Sequence, residues 1–199
     1  MDVKGKKVLV VGAGKSGLAV SRFLSGRGAT VILADAGRPV YPGGELEQIQ
    51  AAGVVLNFGG YPEVKQGGFD LVVMSPGVPL TVEPAVAAIA SGVALTGELE
   101  LAYHFARAPV VAITGTNGKT TTTTLVGEIF KNYGRDTLVG GNIGLPLVTE
   151  VGRYAPGDLI VAEVSSFQLE TVSTFKPKVA VILNITPDHL DRHVTMDGY

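Results

Sequence analysis

The sequence APVVAITGTNGKTTTTTLVG, residues 108–127, decides how the second half of the chain is organised. The β-branched run over residues 110–113 predicts a buried strand, and a glycine turn follows before Lys119 and Thr120 begin a helix. A strand, a glycine loop and a helix N-terminus form a phosphate-binding site, because loop amides and the positive end of the helix dipole face one point. The pattern therefore predicts that Lys119 reaches nucleotide phosphates and that the Thr120 hydroxyl ligates Mg²⁺.

This loop departs from the commonest phosphate-loop spacing, G-x-x-x-x-G-K-[ST]. That spacing requires glycine at the position where this chain has Ile113. The alternative interpretation is a glycine turn before an ordinary helix. The run of threonines over residues 120–124 argues against this alternative, because β-branched residues are mediocre helix formers.

The composition excludes several classes of protein. With 199 residues, 17% charged and 46% hydrophobic, and with 27 glycines, the chain fits one large or two small α/β domains. The net charge of −2 and the lack of a basic run argue against a nucleic-acid partner. The absence of cysteine excludes disulfides and thiolate metal sites. No signal peptide or membrane-spanning run is recognisable, so the expected location is cytoplasmic, away from the membrane.

The N-terminal segment predicts a second nucleotide-binding turn. Residues 12–17, GAGKSG, match G-x-G-x-x-G between a predicted strand over residues 6–11 and a helix. The next predicted strand ends in Asp35, where an acidic residue would meet a ribose hydroxyl. This fingerprint fits NAD as well as other diphosphates. Residues 75–77, Ser-Pro-Gly, follow a third predicted strand and form either a binding loop at its carboxyl end or a simple turn.

Three polar residues of the second half follow predicted strands or begin a helix. Glu163 ends a buried strand and is predicted to hold Mg²⁺ directly or through water, the alternative being a solvated strand end. Ser165 is a predicted N-cap. His189 lies in an Asp/His cluster after the last predicted strand, and we predict a functional role for it over a purely structural one.

Six segments, in this order and at these intervals, resemble the Mur ligases, and in particular the branch of that family that adds D-glutamate. They are GAGKSG, SPGVP, GTNGKT, GGNIGLP, EVSSFQLE and LNITPDHLDRH. The resemblance extends over essentially the whole chain. It implies an α/β fold in which a Rossmann-like parallel-sheet domain, residues 1–97, precedes part of a P-loop (mononucleotide-binding) domain, residues 98–199.

The resemblance also implies an activity. Mur ligases of this branch join D-glutamate to UDP-N-acetylmuramoyl-L-alanine through an acyl phosphate, with ATP and Mg²⁺, in the cytoplasmic synthesis of peptidoglycan precursors. The family has a third domain and a carbamylated lysine beyond the DHLDRH segment, whereas this chain stops at Tyr199. We therefore expect an N-terminal portion that is inactive by itself, and we expect a monomer.

Site residues follow from the same resemblance. ATP is expected on Gly115, Thr116, Asn117, Gly118, Lys119, Thr120 and Thr121. The UDP-linked substrate is expected on Gly14, Lys15, Ser16, Asp35, Ser75, Pro76, Gly77, Asn142 and Ser165. Catalytic roles are expected for Lys119, Glu163 and His189, and metal binding for Thr120, Glu163 and His189. The family often carries a hydroxyl and a basic residue after the acidic one, where this chain has Ala36 and Gly37, so contacts to uracil stay open there.

Two other classes of function compete with a ligase. An NAD-dependent oxidoreductase would explain GAGKSG and Asp35, but it leaves GTNGKT, Glu163 and His189 without a role. A nucleotide-binding module without catalysis is the third possibility. Titration with UDP, NAD and Mg-ATP separates the three.

Overall fold

The computed structural model describes residues 1–41 and 43–199, and these form two compact units, Met1–Leu101 and Ala102–Tyr199. The division falls inside a helix that begins at Glu98, whereas the sequence analysis places the boundary just before that helix. Each unit contains its own parallel β-sheet. The α/β fold class predicted from the sequence is therefore confirmed.

The first unit alternates strands and helices along the chain. Its elements are β1 Lys7–Val11, α1 Lys15–Ser25, β2 Thr30–Asp35, α2 Glu45–Ala51, β3 Val55–Phe58, β4 Leu71–Met74, α3 Glu83–Ser91, β5 Ala94–Gly97 and the beginning of α4 Glu98–Phe105. The strands form one parallel sheet in the order β3-β2-β1-β4-β5. Since β1 and β4 are central, their apolar residues are buried, as continuous runs in parallel sheets usually are.

The strand order reverses between β1 and β4. Because connections run outward from these two strands in opposite directions, the turns that follow them lie side by side at the carboxyl edge of the sheet. The turn after β1 is GAGKSG and the loop after β4 is SPGVP. The fold thus brings together the two segments that the sequence analysis assigns to one ligand.

The second unit has the same alternation on a smaller sheet. Its elements are β6 Val110–Thr114, α5 Lys119–Asn132, β7 Thr137–Gly141, β8 Leu159–Glu163, α6 Ser166–Leu169, β9 Val179–Ile182 and α7 Leu190–His193, with short 3-10 turns at Leu147–Thr149 and Val151–Arg153. The parallel strand order is β7-β8-β6-β9. The loop after β6 therefore lies between the carboxyl ends of β8 and β9.

The edge strand β9 is poorly covered. Val179 and Ile182 are 47% and 64% exposed, although parallel strands are normally buried on both faces. Among the helices of the described residues, none combines the length and apolarity needed to cross a bilayer.

Candidate functional site

The loop between β6 and α5 has the backbone of an anion-binding site. Gly115 and Gly118 have φ angles of +139° and +83°, which side-chain-bearing residues rarely adopt, and Gly118 is the N-cap of α5. The first amides of a helix lack intrahelical partners and point outward from its end. The side chain of Lys119 folds back over the loop, where its Nζ donates to the carbonyls of Gly115 at 2.6 Å and Thr116 at 2.9 Å. The lysine, the loop and the helix N-terminus thus converge as the sequence predicts.

Glu163 at the end of β8 joins two other predicted site residues. Its carboxylate is buried, with 2% exposure of the residue. One oxygen accepts a hydrogen bond from the Thr120 hydroxyl at 2.8 Å, and the other accepts one from Nδ2 of Asn142 at 2.8 Å. Gly141 lets the chain pass close by, since a β-carbon there would lie 2.4 Å from the Glu163 carbonyl oxygen. Thr120, Glu163 and Asn142 therefore form one hydrogen-bonded group beside the N-terminus of α5.

The chemistry of this group fits Mg²⁺. A threonine hydroxyl and a carboxylate are the hard oxygen donors that Mg²⁺ prefers. Within residues 1–41 and 43–199, no cluster of three or more His, Cys, Asp or Glu side chains could hold a metal. A site of one carboxylate and one hydroxyl agrees with the habit of Mg²⁺ of keeping several waters and binding substrate phosphates. The residues present thus suit a metal that arrives with a nucleotide.

His189 contacts a different set of residues. Its backbone is left-handed, with φ of 50°, and its ring packs against Phe167 with the ring centres 4.8 Å apart. Its Nε2 is 3.6 Å from the carboxylate of Asp188. Among the described residues, the structure gives His189 no hydrogen bond to Thr120 or Glu163. The metal and catalytic roles expected for His189 stay predictions.

An ion pair connects the segment that carries His189 to the C-terminal end of α6. Arg192 donates to both carboxylate oxygens of Glu170, from Nε at 3.1 Å and from Nη2 at 2.5 Å. Both side chains are largely shielded from solvent, which makes such a two-point pair stronger than an exposed one. His193 is bonded in the same region, with Nε2 2.9 Å from the Ser166 hydroxyl. The sequence analysis did not predict these contacts.

Ser165 caps α6. Its hydroxyl accepts the Gln168 amide at 3.3 Å, while the Gln168 side chain accepts the Ser165 amide at 2.9 Å, which completes a capping box. The N-cap predicted from the sequence is confirmed. The expected contact of Ser165 with substrate stays a prediction.

In the first unit, two predicted ligand residues bond to the turn itself. The carboxylate of Asp35 accepts the amides of Ala13 and Gly37, each at 2.8 Å. The buried Ser75 donates its hydroxyl to the Gly12 carbonyl, also at 2.8 Å. Asp35 and Ser75 therefore shape the GAGKSG turn, and their expected contacts with ribose or uracil stay predictions.

The N-terminus of α1 is open on its outer side. Gly14 is its N-cap, Gly14 and Lys15 are exposed and Ser16 is half-buried. A β-carbon at Gly14 or at the exposed Gly77 would have no heavy atom of the described residues within 4 Å, and Pro76, next to Gly77, is half-buried. The outer side of this turn is thus exposed, and the expected contact of a diphosphate with Gly14, Lys15 and Ser16 stays a prediction.

The side chain of Tyr41 also contacts this turn. Its hydroxyl donates to the Ala13 carbonyl, opposite the amide that Asp35 holds. Burial, together with the nearby charge of Asp35, raises the pKa of the Tyr41 hydroxyl, so it keeps its proton as a donor. This contact was not predicted from the sequence, because a tyrosine in a proline- and glycine-rich loop does not indicate which residue it bonds to.

Comparisons with known proteins agree along the chain. A family model described as "Mur ligase MurD-like, N-terminal domain" matches residues 6–97, and one described as "Mur ligase middle domain" matches residues 113–199. A UDP-N-acetylmuramoylalanine–D-glutamate ligase of Pelotomaculum thermopropionicum is 71% identical over 198 residues, which is 100% of this chain and 44% of that protein. The protein of the same name from Thermoanaerobacter pseudethanolicus is 51% identical over 199 residues, again 100% of this chain and 44% of the relative.

Solved structures support the fold. The UDP-N-acetylmuramate–alanine ligase of Thermotoga maritima matches with a TM-score of 0.55 and 23% identity, over 98% of this chain and 45% of that one. A murein peptide ligase from Psychrobacter arcticus matches with a TM-score of 0.55 and 24% identity, over 94% of this chain and 44% of that one. The chain thus spans less than half the length of each of these four proteins.

Proposed function

Since this chain belongs to the Mur ligases, as their MurD-like N-terminal domain and middle domain, we propose that it binds the nucleotide-linked substrate and carries out phosphoryl transfer in an ATP-dependent amide ligase. The substrates that we propose are UDP-N-acetylmuramoyl-L-alanine, D-glutamate and ATP, after the printed name of the relatives. We propose the cytoplasm as the location, because UDP-linked sugars and ATP are found there. We also propose a monomer, because each candidate site is built within a single chain.

The chemistry requires that a carboxylate be activated. A carboxylate is a poor acylating agent, so the γ-phosphoryl group of ATP moves to a carboxylate oxygen, and the amine of D-glutamate then displaces phosphate. Such a reaction depends on positioning and on neutralising negative charge. Lys119 and the amides of α5 supply positive charge around the phosphates. Thr120 and Glu163 would hold Mg²⁺, which neutralises further charge when it is bound.

The other predicted residues take supporting roles in this proposal. Asn142 orients Glu163 through its hydrogen bond, and its backbone amide also donates to the Glu163 carbonyl at 2.9 Å. The amides around Gly14 and Lys15 receive the diphosphate of the UDP-linked substrate, at the end of α1 that favours anions. We propose that His189 joins the site from the segment after β9 when the substrates are bound.

One observation carries the proposal. The Thr120 hydroxyl, bonded to the buried Glu163, lies in the first turn of the helix whose N-terminus follows the glycine loop. Hydride transfer by an oxidoreductase does not require a hydroxyl and a carboxylate placed in this way, and the relatives named above are ligases. The deciding experiment expresses the complete reading frame that contains this sequence and supplies UDP-N-acetylmuramoyl-L-alanine, D-glutamate and Mg-ATP. We expect an amide product, with ADP and phosphate in equal amounts. ATP consumption without amide formation would contradict the proposal.

Ligand preference of the first unit provides a separate prediction. Isothermal titration of the 199-residue chain with UDP-N-acetylmuramoyl-L-alanine should give a saturable binding signal, whereas NAD should give a much weaker one or none. The reason is that GAGKSG occurs here together with the ligase motifs. Micromolar binding of NAD, with no response to the UDP-linked compound, would show that the first turn serves a dinucleotide.

Lys119→Ala should weaken Mg-ATP binding by about 1.5–3 kcal/mol, the usual value of a hydrogen bond to a charged group, or about 10- to 150-fold in affinity. The fold should persist, because in the described part of the chain the Lys119 side chain bonds to loop carbonyls and not to the core. The measurement is Mg-ATP affinity in the complete polypeptide. Lys131→Ala is the matched control, since Lys131 lies on the same helix and pairs with the exposed Glu128. Equal affinities for wild type and Lys119→Ala would rule out the assigned role.

A further inference from the structure

The phosphate loop is bonded to the segment that follows β9. Oδ1 of Asn184 accepts the Asn117 amide at 2.9 Å, and Nδ2 of Asn184 donates to the Asn117 carbonyl at 3.0 Å. The backbone carbonyl of Asn184 also accepts the Thr116 amide at 3.0 Å. One residue thus holds both backbone groups of Asn117 and a third group of the loop.

Thr186 adds a second connection to the same loop. Its amide donates to the Thr116 hydroxyl at 2.9 Å, and its carbonyl accepts that hydroxyl at 3.0 Å. The Thr116 oxygen also lies 3.0 Å from the hydroxyl of Tyr199. The loop is therefore attached at two successive residues to a segment that is distant in sequence.

Close approach of the two segments depends on Gly115. A β-carbon at Gly115 would lie 3.1 Å from both the nitrogen and the oxygen of Asn184, and 3.2 Å from Cβ of Leu183. Such distances leave little room for a side chain. The glycine of the loop thus serves this contact as well as the left-handed backbone angle.

We propose that Asn184 is a positioning residue for the phosphate loop. It sets the orientation of the Asn117 peptide and, through Thr116, of a carbonyl that Lys119 contacts. Aspartate can accept the Asn117 amide but cannot donate to the Asn117 carbonyl, and leucine can do neither, so neither residue reproduces both hydrogen bonds. Because Asn184 precedes His189 by five residues, the same bonds tie the phosphate loop to the segment that carries this histidine. The relevance of Asn184 to ligation rests on the proposed function, whereas its hydrogen bonds to the phosphate loop do not depend on that function.

The first test needs no nucleotide and uses the 199-residue chain. Amide hydrogen exchange, resolved by NMR, compares wild type with Asn184→Ala, Asn184→Asp and the control Asn132→Ala. The Asn132 side chain donates to the Glu128 carbonyl within α5. In Asn184→Ala, exchange of the Asn117 amide should accelerate at least about tenfold, while amides of β1 and α1 keep their rates. In Asn184→Asp, this protection should largely return, because a carboxylate still accepts the Asn117 amide. Unchanged exchange in Asn184→Ala overturns the proposal, and so does equal acceleration throughout the second unit.

The second test uses the complete polypeptide. Asn184→Ala and Asn184→Asp should each raise the KM for ATP about tenfold and leave the KM for D-glutamate unchanged, because only the phosphate loop is misplaced. A lower kcat with unaltered KM for ATP would count against positioning of this loop. If wild type makes no amide but the exchange pattern is as expected, the proposed function fails and the positioning role stands.

Discussion

Glu163→Gln is expected to lower the rate of amide formation by about 100-fold or more in the complete polypeptide. Glutamine fills nearly the same buried volume but removes the negative charge that would hold Mg²⁺. It also presents an NH₂ group to one of the two donors, Thr120 and Asn142, that now bond to the carboxylate. Removing a single stabilising group from such a site typically costs 10²- to 10³-fold in kcat. The measurement is kcat at saturating substrates over a range of Mg²⁺ concentrations.

The control for this variant is Glu128→Gln. Glu128 is an exposed glutamate on α5 that pairs with Lys131 on the same helix and lies outside the site. Its loss should leave the rate within about twofold, since exposed ion pairs contribute little. Thermal unfolding of both variants should remain cooperative. A Glu163→Gln protein that ligates at the wild-type rate would remove Glu163 from the mechanism.

Gly17→Ala should have the largest effect on the stability of the first unit. A β-carbon there would lie 1.9 Å from the carbonyl oxygen of Gly12 and 3.0 Å from the hydroxyl of Ser75. Backbone atoms cannot swing aside as a flexible side chain can, so α1 must move away from the turn. We expect a loss of about 3 kcal/mol, the upper end of the usual overpacking range. Urea unfolding followed by circular dichroism measures this loss.

Gly14→Ala is the matched control for Gly17→Ala. Gly14 belongs to the same turn, has φ of −72°, and has no heavy atom within 4 Å of the position where a β-carbon would lie. Alanine at this N-cap should cost less than about 1 kcal/mol. Similar losses for the two variants would mean that the contact between Gly17 and Gly12 does not hold α1 to the sheet.

Regular elements were predictable from the sequence because their signals are local. The apolar run of residues 110–114 and the glycines after it define β6 and the start of α5 without help from other parts of the chain. The same holds for β1, the GAGKSG turn and α1. Parallel strands then bring their carboxyl ends to one edge, which is why Glu163 and Thr120 could be expected near each other.

The remaining contacts could not be predicted, because they depend on where distant residues lie. Asn184 bonds to Asn117 across 67 positions, and nothing in either residue type indicates the other. The short helix α7 has few backbone hydrogen bonds of its own and is held through Arg192 and Glu170. Asp35 lies at the expected strand end, but its hydrogen bonds to the amides of Ala13 and Gly37 are known only from the structure.

The hydrogen bonds between Asn117 and Asn184 determine the order in which parts of the chain can fold during synthesis. Domains generally fold from the N-terminus as the ribosome extends the chain at about 5–20 residues per second. The strands of the first sheet are all present once β5 has emerged from the ribosome. The phosphate loop, in contrast, cannot form its hydrogen bonds until Asn184 and Thr186, which lie 67 and 70 residues after their partners, have also emerged. A nascent chain can therefore complete its first sheet several seconds before its phosphate loop takes shape. Under the proposed function, such a chain would bind the UDP-linked substrate during that interval before it could bind ATP.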